Sequence, residues 1–317
     1  MYGTYEASVI HGEGCRAAVR PILKAIPAAA LFMTCAMLIP ATHAAEIGSL
    51  PNAYSPGATI GVPEGVAPPP GVYWQQTSAD ANLLQVNGKG AATGNYTNSY
   101  FSVATFLAST NYHLFGGRYS ALVTNVGIYQ VNLHEANGDR PTTTSWGDIE
   151  IDPIRLSWGL TNHLFVSLAE GVNPPTGSFE KSRIVNVGHN RVVFDQHVNI
   201  SYLTKQYMLT ANGTINVNTP NVATNFTSGS TYDVDLTALR RFGNFQTGPV
   251  GYYFRQFGSD TGSQSLNGGM PTEGGIGWLV GYNLDGWQLN AFVTQDVYAR
   301  NFASQTKVWF TIAHRLL

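Results

Sequence analysis

Charge is scarce in this sequence. Of 317 residues, only 11% are Asp, Glu, Lys or Arg, against about 25% in ordinary soluble domains. No block of Lys or Arg offers a track for phosphates, so nothing points to a nucleic-acid partner. Cysteine is almost missing: Cys15 and Cys35 are the only two, and both fall within residues 1–44. Long apolar runs are missing too. "AIPAAALFMTCAMLIP" provides about 14 apolar residues, short of the roughly 20 that a spanning helix requires. It follows Arg16, Arg20 and Lys24 and precedes "ATHA", with Thr42 and Ala44 small at the usual cleavage positions. That order predicts a cleavable export signal over 1–44. The exported chain would then carry no thiol, which excludes disulfides, Cys metal sites and Cys nucleophiles.

What fills the space left by charge is Asn, Thr, Ser, Gln and Gly, with 16 Tyr, 15 Phe and 6 Trp spread along the chain. Few charges, many aromatics and no helix-length apolar run are compatible with a membrane only as a closed β-barrel. Residues 45–70, "AEIGSLPNAYSPGATIGVPEGVAPPP", are too rich in Pro and Gly for a helix or a regular ladder. They read as a periplasmic tail or as a segment tucked into a lumen.

From Gly71 to Leu317, segments alternate at period two between turn residues. In "STYDVDLTALRRF", Tyr232, Val234 and Leu236 oppose Asp233, Asp235 and Thr237. In "GWQLNAFVTQDVYA", Leu289, Ala291 and Val293 oppose Asn290, Phe292 and Thr294. About twelve such segments can be placed, near 71–78, 98–110, 118–134, 148–160, 163–173, 192–203, 205–217, 229–241, 247–258, 274–284, 286–299 and 304–316. An even number fits a bacterial barrel. The segments are joined by short turns such as "GLTN" and "LDG", and by longer stretches at 79–97, 135–147, 174–191, 218–228 and 259–273. In "DIEIDPIRLSW", the apolar parity switches across Pro153, which predicts a bulge there. The fold expected is all-β: a transmembrane antiparallel β-barrel of about 12 strands over 71–317. A soluble β-sandwich would also alternate, but the weaker faces here are small and amide-rich rather than Lys- and Glu-rich. Aromatics near segment ends (Tyr73, Trp74, Tyr119, Trp158, Tyr202, Trp287, Tyr298 and Trp309) are assigned to interfacial girdles.

Three stretches carry a family resemblance. They are "YSPGATIGVPEGVAPPPGVYW", "IEIDPIRLSWGL" followed by "EGVNPPTGSF", and above all "NTPNVATNFTSGSTYDVDLTALRRFGNFQTGPVGYYFRQFGSD". In these the chain resembles the meta-pathway of phenol degradation family of outer-membrane β-barrel proteins, which includes SphA-like transporters. Phe226 stands where that family more often has Tyr. The resemblance implies a channel or transporter for small aromatic or hydrophobic compounds, resident in the outer membrane after export, with lipid and the barrel-assembly machinery as partners. It implies neither cofactor nor catalytic residue. The alternative is a non-transporting structural or adhesive barrel.

Charges facing lipid at mid-membrane cost several kcal/mol, so inward positions are expected for them. The lumen candidates are Glu150, Asp152, Arg155, Asp233, Asp235, Arg255 and Asp296, with Phe165, Tyr253 and Phe292 as inward aromatics and Gly251, Gly277 and Gly281 as inward glycines. The charges would either form an ion-pair network that fills the barrel or touch a solute. His197 and Ser201 share one face of a strand, but four residues along a strand is about 13 Å, too far for proton transfer. No His-x-x-x-His or paired motif points to a metal.

Overall fold

The computed structural model describes residues 55–262 and 269–317. The export signal expected over 1–44, and residues 45–54 of the Pro- and Gly-rich segment, lie outside the described residues.

Fifteen strands follow one another: β1 (Gly71–Val86), β2 (Ala92–Leu114), β3 (Gly117–His134), β4 (Thr142–Trp146), β5 (Glu150–Gly159), β6 (Leu164–Asn173), β7 (Val193–Leu203), β8 (Tyr207–Asn218), β9 (Phe226–Thr227), β10 (Thr231–Phe242), β11 (Phe245–Gln256), β12 (Thr261–Gly262), β13 (Thr272–Leu284), β14 (Trp287–Arg300) and β15 (Ala303–Arg315). Three of these are minor. The remaining twelve close an antiparallel barrel: each pairs with its neighbour, and β15 pairs back onto β1 from Tyr73↔Arg315 to Gln85↔Ala303. The terminal segment "VWFTIAHRLL" therefore seals a cylinder in which none of the twelve strands is an open edge. Transmembrane strands need about 9–11 residues. β1, β2 and β3, with 16, 23 and 18 residues, are taller and carry β4 on their long-loop end. The stretch 79–97, expected to be a connection, is instead ladder with a turn at 87–91, because its Ser, Thr and Asn alternate above the apolar band.

The short connections are hairpin turns with the required backbone chemistry. Phe115 and Gly116 (φ 52° and 79°) join β2 to β3, and Asp285 and Gly286 (φ 46° and 86°) join β13 to β14. Two successive residues at positive φ match the strands' right-handed twist. Five short turns sit at one rim, with Arg240 and Arg241 beside one of them, while the two-residue β14–β15 link at 301–302 and the turn at 87–91 lie at the other. The long connections gather at the other rim.

The outer surface follows the alternation. Leu236, Ile276, Val293 and Phe310 are exposed, as a lipid-facing band requires. Trp74, Trp287 and His314 cluster toward the short-turn rim, with the Trp287 and His314 rings stacked at 4.1 Å. Tyr73 and Trp309, expected in a girdle, point inward and are buried. The bulge expected at Pro153 is present: the β5–β6 register shifts between Ile151 and Ile154. It places Glu150, Asp152, Arg155 and Ser157 on the inner face.

Outside the strands, the long connections tie to one another. Asp148 accepts hydrogen bonds from the His189 backbone N–H (2.7 Å), from Gly177 N–H (2.7 Å) and from His189 Nδ1 (2.8 Å). Burial pushes the Asp148 carboxyl up, but the His189 hydrogen bond and charge, with those N–H donors, outweigh it and hold the group below 3.8. A lowered folded pKa gives stabilisation that is complete above the unfolded value and lost as pH falls through the folded one. The 174–191 connection is expected to loosen below about pH 4, read as faster proteolysis there. Asp148→Asn should show the fast rate at neutral pH.

Candidate functional site

Residues 55–67 lie inside the cylinder as a plug. Pro and Gly keep the segment out of regular structure, and it folds as successive tight turns: Ala58 N–H to Ser55 C=O, Ile60 to Gly57, Val62 to Thr59, Val66 to Pro63. The remaining backbone groups need partners, and the inner wall supplies them. Asp235 accepts from Gly57 N–H and Thr59 N–H, each at 2.8 Å, and from Thr59 Oγ1 at 2.7 Å. Thr237 Oγ1 accepts from Gly61 N–H, Ser201 Oγ from Gly65 N–H and Ser157 Oγ from Ala67 N–H. Asn212 Nδ2 donates to the carbonyls of Thr59 and Val62, and Ser167 Oγ to that of Glu64. Lys307 Nζ donates to Pro56 C=O at 2.7 Å, and Arg155 pairs with Glu64 at 3.2 Å. Gly57 has φ +97°, and a Cβ there would press on Trp309 and Tyr252.

Beneath the plug's apolar side chains is a compact core. Ile60 packs among Leu279, Phe292, Trp309, Phe101 and Met208. The Phe292 and Trp309 rings stack at 5.3 Å, Phe101 meets Trp309 edge-on at 5.6 Å, and Lys307 lies 4.3 Å over the Tyr252 ring.

The inner wall is thus divided. From β5 to β10 it carries a polar network that grips the plug, joined by Lys307 of β15. Along β1–β3 it is lined by Leu83, Phe101, Val103, Leu122, Tyr129 and Leu133, and there the plug does not fill the lumen. A cavity of about 600 Å³ runs between this wall and the plug. At the long-loop end it reaches Gln85, Val185 and His189. At mid-height it passes Thr59, Val62 and Val66, and at the short-turn end Trp74, Gln288 and Ala313. The 174–191 connection folds over its mouth, with Val185 and Val187 buried.

The candidates named from sequence separate into three groups. Asp235 and Arg155 hold the plug. Asp152 joins Arg155, while Glu150 and Asp152 face His197. Asp233 and Asp296 are buried on the inner face, and Phe165 and Phe292 pack against the core. Tyr253 and Arg255 are corrections: both face outward, and Tyr252 and Phe254 take the inward places. The lumen here is filled with aromatics, so β11 is apolar on both faces and polarity does not reveal its parity. Gly251 likewise faces outward, whereas Gly277 and Gly281 face inward. Sequence reasoning missed Lys307, Glu273 and Glu64. The signal for Lys307 was its alternation with the outward Val308 and Phe310.

Among solved structures, the COG4313 outer membrane channel from Pseudomonas putida F1 is similar, with a TM-score of 0.65 and 13% identity over 78% of this chain and 96% of that one. The translocator domain of the autotransporter NalP from Neisseria meningitidis gives 0.45 and 10%, over 78% and 88%. The CymD monoaromatic hydrocarbon channel gives 0.38 and 10%, over 78% and 89%. At these identities the likeness concerns fold: an outer-membrane type β-barrel. A comparison with curated proteins finds no match. The family model described as "Putative MetA-pathway of phenol degradation" matches residues 81–312, most of the barrel, and the chain belongs to that family.

Proposed function

We propose that this protein is an outer-membrane channel for small aromatic or hydrophobic compounds, and that the solute passes beside the plug. The observation that carries this reading is the cavity reaching toward both rims along the apolar β1–β3 wall. An aromatic solute there meets Leu, Val, Phe and Tyr interspersed with Thr, Ser and Asn, and exchanges one set of non-directional contacts for the next. Hydrophobic burial is roughly proportional to apolar area and is not directional, which suits passage of a size class rather than of one molecule. The polar half of the wall has a different task, since its hydrogen-bonding groups are used by the plug. Membership of a family named for phenol degradation supports aromatic cargo. Among the candidates, Phe165 and Phe292 serve the core, and Glu150, Asp152, Asp233 and Asp296 serve the polar wall. Export by a cleaved leader and insertion by the barrel-assembly machinery belong to this same proposal. A barrel that is only structural or adhesive would have no use for an apolar route.

Small aromatics cross phospholipid unaided, so the test needs vesicles with lipopolysaccharide in the outer leaflet. Wild-type protein is expected to accelerate entry of labelled phenol or toluene and to leave charged benzoate slower. Val103 is buried on the passage wall. Val103→Trp should cut the aromatic flux several-fold while the barrel keeps its heat-modifiable gel mobility. Equal flux with wild-type, Val103→Trp and empty vesicles would refute the proposal.

A further inference from the structure

We propose that Glu150, Asp152 and His197 form a binding site for one divalent first-row transition-metal ion of the Zn²⁺ class. The three come from strands that are not adjacent. Glu150 and Asp152 lie two apart on β5, and His197 is on β7, with β6 between them. Side chains two strands apart meet only if the intervening residue is small. That residue is Gly171, where a Cβ would stand 2.5 Å from Asp152 Oδ1 and 3.3 Å from Glu150 Oε1.

The donor atoms converge. His197 Nε2 is 3.2 Å from Glu150 Oε1 and 3.8 Å from Asp152 Oδ1, and all three atoms lie within 4.8 Å of one another. Metal–ligand bonds of about 2.0–2.2 Å to imidazole nitrogen and carboxylate oxygen leave donors separated by such distances. Two carboxylates and an imidazole are the donor set of a borderline ion.

Two further observations single this cluster out from a buried acidic patch. First, His197 Nδ1 is 3.1 Å from Thr214 Oγ1. A partner on one ring nitrogen holds the ring's orientation and leaves the other nitrogen facing the carboxylates, as the outer shell of a metal site does. Second, Asp152 is fully buried, and its Oδ1 finds no hydrogen-bond donor among the described residues. Neighbouring Asp195, equally buried, accepts from the side-chain amides of both Asn173 and Asn216. The wall satisfies one carboxylate fully and aims an oxygen of the other at the point where an ion would sit. Asp152 Oδ2 meanwhile pairs with Arg155, which reaches Glu64 of the plug. An ion held by Oδ1 would brace the same side chain that tethers the plug.

The test uses tag-free folded protein in detergent, stripped with chelator and dialysed against Zn²⁺ or Co²⁺. Wild type is expected to retain one equivalent of Zn²⁺ and, with Co²⁺, to show the visible bands of a nitrogen- and oxygen-ligated ion. Glu150→Gln, Asp152→Asn and His197→Gln should each lose retention. Thr214→Val should weaken it about tenfold. Heat-modifiable mobility identifies which variants fold, and the three ligand substitutions stand in for one another if one does not. Folded wild type that retains no more ion than the folded ligand variants would overturn the site. In that case the cluster is a buried hydrogen-bonded network and holds no ion.

Discussion

Deleting residues 57–66 will raise single-channel conductance several-fold and leave the barrel folded. Apart from Ile60 and Val66, which pack in the apolar core, the plug is held by hydrogen bonds to groups that water can satisfy. Asp235, Thr237, Ser201, Ser157 and Asn212 all make their plug contacts with polar atoms. Once the segment is gone, these groups line an aqueous pore, as they would in a wider barrel. Eight-stranded barrels are filled by their own side chains, whereas those of about 16 strands leave an aqueous channel. A barrel of twelve lies between, so whether it conducts depends on what else enters the lumen. The barrel's own stability resides in the twelve-strand ladder, which the deletion does not touch. Planar-bilayer recording gives the conductance and gel mobility gives the fold. Asp235→Ala is the milder form: with three plug hydrogen bonds lost, brief openings of larger conductance should appear on the wild-type baseline. Unchanged conductance in a folded deletion variant would mean that the plug is not the obstruction.

Lys307→Met will be the most destabilising single substitution on the inner wall. Lys307 is fully buried and lies among the charges of Glu273, Asp296, Asp235 and Asp233. Its ammonium also reaches Pro56 C=O and the Tyr252 ring. Removing one partner from a buried charge cluster leaves the others uncompensated, which costs about 3–5 kcal/mol. Met keeps the stem's volume, so the loss is electrostatic rather than a cavity. Exposed Lys205, in the β7–β8 turn, provides the control: Lys205→Met should stay within about 0.5 kcal/mol of wild type. Urea unfolding in lipid vesicles measures both. Equal midpoints for the two variants would show that the carboxylates do not depend on Lys307.

Much of the barrel could be read from the residues because lipid imposes a strict rule. Outward positions must be apolar, so β10 and β14 showed their parity in "TYDVDLTAL" and "WQLNAFVT", and Pro153 marked its bulge. The reading failed where the inside is apolar too. In β11, Val250, Tyr252 and Phe254 face the core while Tyr253 faces lipid, and hydropathy cannot separate them. Trp309 misled for the same reason: an aromatic near the end of the chain resembles a girdle residue until Phe292 is seen stacked on it and Phe101 set edge-on against it. Of the tall strands, β1 and β2 were cut short, because Ser, Thr and Asn above the lipid band resemble loop, whereas β3 was read at nearly its full length. The plug was one of two readings of its Pro- and Gly-rich composition, since composition excludes regular structure but does not say where the segment goes. The Glu150, Asp152 and His197 cluster had no sequence motif, because its spacing is set by strand pairing across Gly171.

The central claim is that solute travels between the β1–β3 wall and the plug, and blocking that route in place tests it most directly. Ala81 lines the passage and is buried. Ala81→Cys, in a background with Cys15 and Cys35 replaced by Ser, places one thiol on the path. Aromatic flux into lipopolysaccharide-bearing vesicles would be recorded before and after a bulky methanethiosulfonate is added, and again after reduction. The route described here predicts that flux falls to the level of empty vesicles on modification and recovers when the adduct is removed. Undiminished flux through fully modified protein would contradict it.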